Sequence, residues 1–198
     1  MKMRISILIT TICILSQNLI GQESNHHKLS GGISAEYGMT NHSGYGSFGL
    51  DAWIPVKKKF TLNYSIRMGI PGDGIYVRGS AGLMLGGALM GAAGEEGGLT
   101  AAIGAITMLI PEGVGVYLGN DIRKLHIGIN PLAAEYRHRK NPYDEWSQIS
   151  GNITIRGELP FNKWGINFIS PYFATYYNYG AQNPIGFRLG LTTGFTSK

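Results

Sequence analysis

Cysteine is all but missing: Cys13 is the only one in 198 residues. That excludes intrachain disulfides and any site built from several thiolates, and stability must come from packing and hydrogen bonds. Charge is scarce too. Asp, Glu, Lys and Arg make up 15% of the chain, with a formal excess of +5. No basic cluster or nucleic-acid motif accompanies that excess, so nucleic acid is not expected as a partner, and the charge reads as basic turns near anionic lipid headgroups. No apolar run is long enough for a spanning helix, which needs about 20 residues.

The longest candidate, residues 5–15, follows Lys2 and Arg4 and gives way to a more polar exit at residues 17–22. That is the layout of a secretory signal peptide, with cleavage expected after Gly21 or Gln22. Residues 1–22 are then the signal and residues 23–198 one domain. An uncleaved anchor is the competing reading. Lipid attachment at Cys13 is not supported, because the preceding Ile12 is branched where a lipoprotein signal carries a small residue.

What the chain has in abundance is glycine, at 30 residues, and tyrosine, at 11, a profile of closely paired strands rather than helix bundles. Near the C-terminus Ile185, Phe187, Leu189, Leu191, Thr193 and Phe195 alternate with Gly186, Arg188, Gly190, Thr192 and Gly194. Phe60, Leu62, Tyr64, Ile66 and Met68 alternate as cleanly with Lys59, Thr61, Asn63, Ser65 and Arg67. Such a two-residue period predicts strands with one apolar face. Similar patterns start near Leu29, Tyr45, Glu112, Lys124, Ser147 and Gly165, which makes eight strands in all.

The turns at 55–58, 119–124 and 160–164 are short and basic, whereas those at 39–44, 138–145 and 178–184 are longer and more polar. Short turns alternating with longer loops describe an up-and-down transmembrane barrel. Residues 80–110 break the pattern. Gly82 to Met90 is apolar or tiny all round, and Leu99, Ile103, Ile106 and Ile110 recur at helical spacing. A short helical hairpin between the third and fourth strands is expected, ending at Pro111. Making two further strands of it gives a barrel of ten, and parity does not choose between the two counts; a third reading joins the runs into a helical membrane hairpin, but each run is below the ~20 residues needed to span.

The order of these features resembles small, largely uncharacterised outer-membrane β-barrel proteins of Gram-negative bacteria. The residues that carry the likeness are Ile110, Pro111, Glu112, Gly113 and Val114, then Asn130, Pro131 and Leu132, then Glu135, Tyr136 and Arg137. The resemblance implies a barrel fold and an outer-membrane location, and no substrate. One departure is the end of the chain, where Thr196, Ser197 and Lys198 follow Phe195 although such barrels often finish on an aromatic residue.

With apolar faces toward lipid, the lumen candidates are Glu36, Asp51, Arg67, His126, Arg156, Glu158 and Arg188. Eight strands leave an interior just wide enough for side chains, so these charges are expected to pair across it rather than line a solute path. His126, Ser150 and Glu135 or Asp121 are the residue types of a lipid-acting serine hydrolase, but no elbow motif accompanies them. His26 and His27 lack a third ligand and read as a solvated tail, with no metal or cofactor expected. Glu95 and Glu96 read as solvated turn carboxylates, and Gly82, Gly86, Gly87 and Gly91 as a close helix contact rather than a phosphate loop. Tyr37, Tyr45, Trp53, Tyr64, Trp146, Trp164, Tyr172 and Tyr176 lie mostly near strand ends, where rings suit headgroup depth.

The function expected is therefore an outer-membrane barrel with a structural or surface-interaction role and no evident catalysis. Its partners would be membrane lipid first and another envelope protein second. A soluble lipocalin-like barrel, with its apolar faces turned inward onto a small ligand, is the rival, and a lipid-modifying barrel enzyme is the second.

Overall fold

Alternating apolar and polar side chains make extended chain favourable only where one face can meet oil and the other a polar partner. The computed structural model describes residues 29–39, 44–57, 59–69, 74–93, 97–119, 124–139, 146–179 and 185–196. The signal segment with Cys13, the pair His26 and His27, Asp121, Glu95 and Glu96 lie outside them.

Nine strand segments form one antiparallel sheet: β1 (Ser30–Met39), β2 (Gly44–Lys57), β3 (Phe60–Gly69), β4 (Gly74–Ser80), β5 (Gly113–Gly119), β6 (Lys124–Arg139), β7 (Trp146–Lys163), β8 (Ile166–Asn178) and β9 (Ile185–Thr196). β1 pairs with β9 from Ser30↔Thr196 to Met39↔Phe187, so the sheet closes on itself. β4 and β5 both bridge β3 and β6, so the two segments occupy one position in the wall. The result is a closed barrel of eight staves.

Two short helices, α1 (Ala81–Ala92) and α2 (Gly98–Thr107), form the expected hairpin. Its position differs from the expectation. It does not separate the third stave from the fourth; it interrupts the fourth, whose upper half β4 the sequence pattern had left unassigned. β4 has only seven residues, and Ile75 and Val77 give it too little alternation against Tyr76 and Arg78 to stand out before an apolar helix.

Burial follows the strand period and is inverted relative to a water-soluble barrel. Ile33, Phe48 and Leu189 are 65%, 71% and 62% exposed, while Glu36, Asp51 and Arg188, an odd number of residues away on the same strands, are buried. On β3, Asn63 and Arg67 face the closed centre and Ile66 and Met68 face outward. The inward-apolar arrangement of a lipocalin-like barrel is thereby excluded for this chain.

Glycines on the inner face have a specific partner. Gly38, Gly186 and Gly190 lie opposite Tyr45, Tyr176 and Tyr172 in register. The tyrosine rings lie across them, where a Cβ would collide with each ring. Tyr45, Trp53, Tyr172 and Tyr176 are accordingly lumen residues and not part of a headgroup belt, whereas Tyr37 and Trp164 do face outward. The turn joining β7 to β8 is tighter than its sequence suggested. β7 continues through Lys163, and Trp164 and Gly165 turn the chain at φ 54° and 77°. Two consecutive positive φ values make a two-residue hairpin turn matched to strand twist.

Closure between β1 and β9 has a direct test. Ala35 and Leu191 are paired in register, and opposed antiparallel Cα atoms lie about 4.5–5.5 Å apart, within disulfide range. On a Cys13→Ser background, Ala35→Cys with Leu191→Cys should cross-link on oxidation and migrate faster on a non-reducing gel; thiols that stay free would mean an open sheet.

Candidate functional site

Every stave except β8 sends charge into the lumen, the divided fourth stave two side chains and each of the others one. β1 gives Glu36, β2 Asp51, β3 Arg67, β4 Arg78, the approach to β5 Glu112, β6 Glu135, β7 Arg156 and β9 Arg188, each buried. They do not form separate pairs. Arg156 lies 3.8 Å from Asp51, Asp51 holds Arg67, Arg67 lies 3.4 Å from Glu36, and Glu36 lies 3.9 Å from Arg188. Arg188 reaches Glu135 at 2.6 Å, Glu135 reaches Arg78 at 3.2 Å, and Arg78 reaches Glu112 at 2.7 Å. Eight charges of strictly alternating sign thus run as one chain from Arg156 to Glu112.

Burying a charge costs several kcal/mol unless its partners and hydrogen bonds are good, and these carboxylates are well supplied. Glu36 accepts from Ser47 Oγ at 2.9 Å and from Tyr172 Oη at 2.8 Å. Asp51 accepts from Thr192 Oγ1 at 3.1 Å, and Glu135 from Ser150 Oγ at 3.1 Å. Glu112 accepts from Arg78, from Asn152 Nδ2 at 2.9 Å and from Ser65 Oγ. β8 contributes ring faces in place of charge: Arg188 sits 3.9 Å from the centre of Tyr176, and Arg156 3.7 Å from that of Trp53 on β2 and 5.1 Å from Tyr172. Cations over such faces gain roughly 0.5–2 kcal/mol, more where water is excluded.

Beside this chain runs a neutral ladder. Asn63 Nδ2 donates to Asn130 Oδ1 at 2.8 Å, and Asn130 Nδ2 donates to Asn152 Oδ1 at 2.9 Å. Thr61 Oγ1 donates to Asn63 Oδ1 and lies 2.9 Å from His126 Nε2. A hydroxyl has one proton, so with it committed to Asn63 the imidazole must be the donor from Nε2. His126 packs against Tyr117 and Trp53, with ring centres 4.7 and 6.3 Å away.

Of the residues expected in the lumen, Glu36, Asp51, Arg67, Arg156 and Arg188 join the alternating chain, and His126 joins the neutral ladder. Glu158 does not reach the centre. It stands half-buried at the rim and accepts from Tyr117 Oη at 3.2 Å. Three members of the chain were not anticipated as lumen residues: Arg78, Glu112 and Glu135.

Glu135 escaped because a β-bulge between Asn130 and Ala133 inserts one residue into β6 and switches the side that odd-numbered residues face. Pro131 within that segment was the available signal.

The hydrolase combination does not assemble. Ser150 is bound to Glu135, and His126 lies nine residues from Glu135 along β6, roughly 30 Å at strand rise. Among the described residues no three His, Asp or Glu side chains are placed to hold a metal ion. The cavity left among Glu36, Asp51, Trp53, His126, Arg156 and their neighbours has a volume of about 30 Å³, the space of about one water molecule. Chemically, this arrangement is a neutral, cross-braced plug.

No protein-family model and no curated relative matches the sequence. Among solved structures the chain is similar to the N-terminal β-barrel domain of Pseudomonas aeruginosa OprF, at 11% identity and TM-score 0.47, covering 85% of this chain and 98% of that one. Neisserial surface protein A aligns at 7% identity and TM-score 0.47 over 85% and 96%, and a de novo designed transmembrane β-barrel at 7% and 0.43 over 88% and 100%. The fold described above rests on the closed ladder and the inverted burial.

Proposed function

We propose that this protein is an outer-membrane barrel that serves as a sealed scaffold in the cell envelope, with a structural or surface-interaction role and neither a conduit nor a catalytic centre. The observation that carries the reading is the inversion of the wall. Outward side chains along the staves are apolar and exposed while the centre holds a chain of eight charges. In water such a wall would leave its oil uncovered; in a bilayer the same wall meets acyl chains, and a closed sheet leaves no unpaired backbone edge.

The basic residues add direction. Lys59, Lys124 and Lys163 stand at the ends of strands on the side where β1 begins and β9 ends. The export-type leader in residues 1–22 is consistent with passage through an inner membrane before insertion. Lipid is the partner this surface fits first, and another envelope protein at the loop side is the second.

A plug of this kind predicts electrical silence. Reconstituted in a planar bilayer, the protein should show no conductance steps above leak, and steps of porin size would overturn the sealed-scaffold reading. It also predicts that detergent is required throughout purification, whereas a monodisperse detergent-free preparation would sink the membrane assignment.

The alternating chain makes the cost of single deletions large. Arg188→Leu or Glu135→Leu alone should lower unfolding stability in detergent by about 3–5 kcal/mol, since each strands opposite charge in the interior. The double variant keeps the lumen neutral and should cost clearly less than the sum. Additive losses in a urea titration would show that the two residues are not coupled.

A further inference from the structure

The helical hairpin leaves the barrel from the middle of its wall. β4 and β5 contribute seven residues each to the fourth stave, one on either side of the break. On one flank the stave resumes at Asn63↔Gly113 after Ile66↔Gly79; on the other, Ser80↔Ala133 is followed, past the bulge, by Val114↔Ile129. The wall stays sealed at the break. Glu112 N–H donates to Asn63 O at 2.8 Å, Leu132 N–H donates to Glu112 O at 3.0 Å, and Ser65 N–H donates to Ser80 Oγ at 3.0 Å. With the lumen filled and Glu112 fixed inside by Arg78 and Asn152, the inserted residues stand on the outer side. There Tyr64 Oη donates to Leu109 O at 2.7 Å.

The described helices of the hairpin are apolar on all sides. Among its described residues, 81–93 and 97–111, no side chain carries a charge. α1 buries only Gly82 and Gly86, and α2 only Gly104; these glycines meet at the contact between the helices, where a Cβ would strike the opposite backbone. Met90 and Met108 pack beside these glycines, while other apolar side chains point away: Leu85 is 57% exposed, Leu99 77% and Ile106 67%. A helix apolar on every side is stable only inside protein or lipid.

Twelve and ten residues rise about 18 and 15 Å, well short of a ~30 Å hydrocarbon layer, so neither helix spans a membrane by itself. The chain at the base of α2 is nonetheless hydrogen-bonded as hydrocarbon demands. Met108 N–H donates to Gly104 O, Leu109 N–H to Ile106 O, Ile110 N–H to Thr107 O, and Thr107 Oγ1 to Ile103 O.

We propose that residues 81–93 and 97–111 form an intramembrane side arm, a helical hairpin that enters the acyl-chain layer sideways from the barrel wall and takes lipid hydrocarbon as its ligand. The occupant follows from continuity: the outward residues around the base, Ile66, Val114, Ile129 and Leu132, are exposed and apolar and belong to the wall already assigned to lipid. The inference rests on the barrel's lying in a membrane, and the experiment separates the two.

Single cysteines replace Ala88 or Ile106 in the arm, Ile153 in the wall or Lys163 at the rim, all on the Cys13→Ser background, and each carries a bimane label. The labelled proteins are reconstituted into phosphatidylcholine vesicles containing doxyl-labelled phosphatidylcholine. The arm positions should lose the same fraction of fluorescence as Ile153, with Lys163 quenched instead by aqueous iodide. If Ile153 is lipid-quenched while Ala88 and Ile106 respond to iodide, the barrel is inserted and the side-arm proposal fails. If the arm is shielded from both quenchers, a protein or a second copy covers it and lipid is not its ligand. Should Ile153 itself respond only to iodide, the membrane reading fails first.

Discussion

Alternation of sign among buried charges is the constraint on which the barrel depends. A lumen of eight staves cannot be filled with oil when the outer face already faces lipid, because strand periodicity assigns one face to each class of side chain. Polar filling then has to be neutral and fully connected, since a lone buried ion is far more costly than a paired one. The run from Arg156 through Asp51, Arg67, Glu36, Arg188, Glu135 and Arg78 to Glu112 is neutral and unbroken as a sequence of ion pairs, with seven of eight staves contributing. It also ties distant parts of the sequence together: Glu36 on the first strand and Arg188 on the last share one network, so the ladder that closes the barrel is braced from within.

Glycine and tyrosine complete the filling. Inward glycines on β1 and β9 clear floor space, and tyrosines from the neighbouring strands lie in it and present ring faces or hydroxyls to the charges. Tyr172 shows both uses, donating to Glu36 while its ring lies near Arg67 and Arg156. A composition rich in these two residue types is therefore a property of the lumen as much as of the membrane boundary.

The inside and outside of β1, β2, β3, β7 and β9 were legible from sequence because their alternation holds through the residues that carry charge, the irregularities at Pro55 and Pro160 lying beyond them, and five of the eight network charges followed directly. The rest was hidden by physical irregularities. The bulge at Pro131 switches the facing of β6 and so turned Glu135 inward against simple counting. Glu112 follows Pro111 and precedes a glycine, a local signature of a turn, although its backbone completes the wall and its carboxylate ends the charge network. Arg78 lies on a strand too short to show a period. Trp53 has the type of a headgroup anchor, but it shares the face of Asp51 two residues before it and lies buried under Arg156. His126, Ser150 and Glu135 do not assemble for a related reason, since residue types alone carry no distances and Ser150 is a brace for Glu135.

The divided fourth stave has a consequence for how the molecule assembles. β4 and β5 must be collinear before β3 and β6 can both zip along them, yet roughly thirty residues of chain separate their facing ends, and closing a loop of that size is entropically unfavourable. Helices form locally within about a microsecond, faster than long-range strand pairing. A hairpin whose two helices meet through Gly82, Gly86 and Gly104 holds its two ends together and so shortens the loop that the sheet has to close. The insertion that interrupts the stave is thus also the jig that aligns its halves.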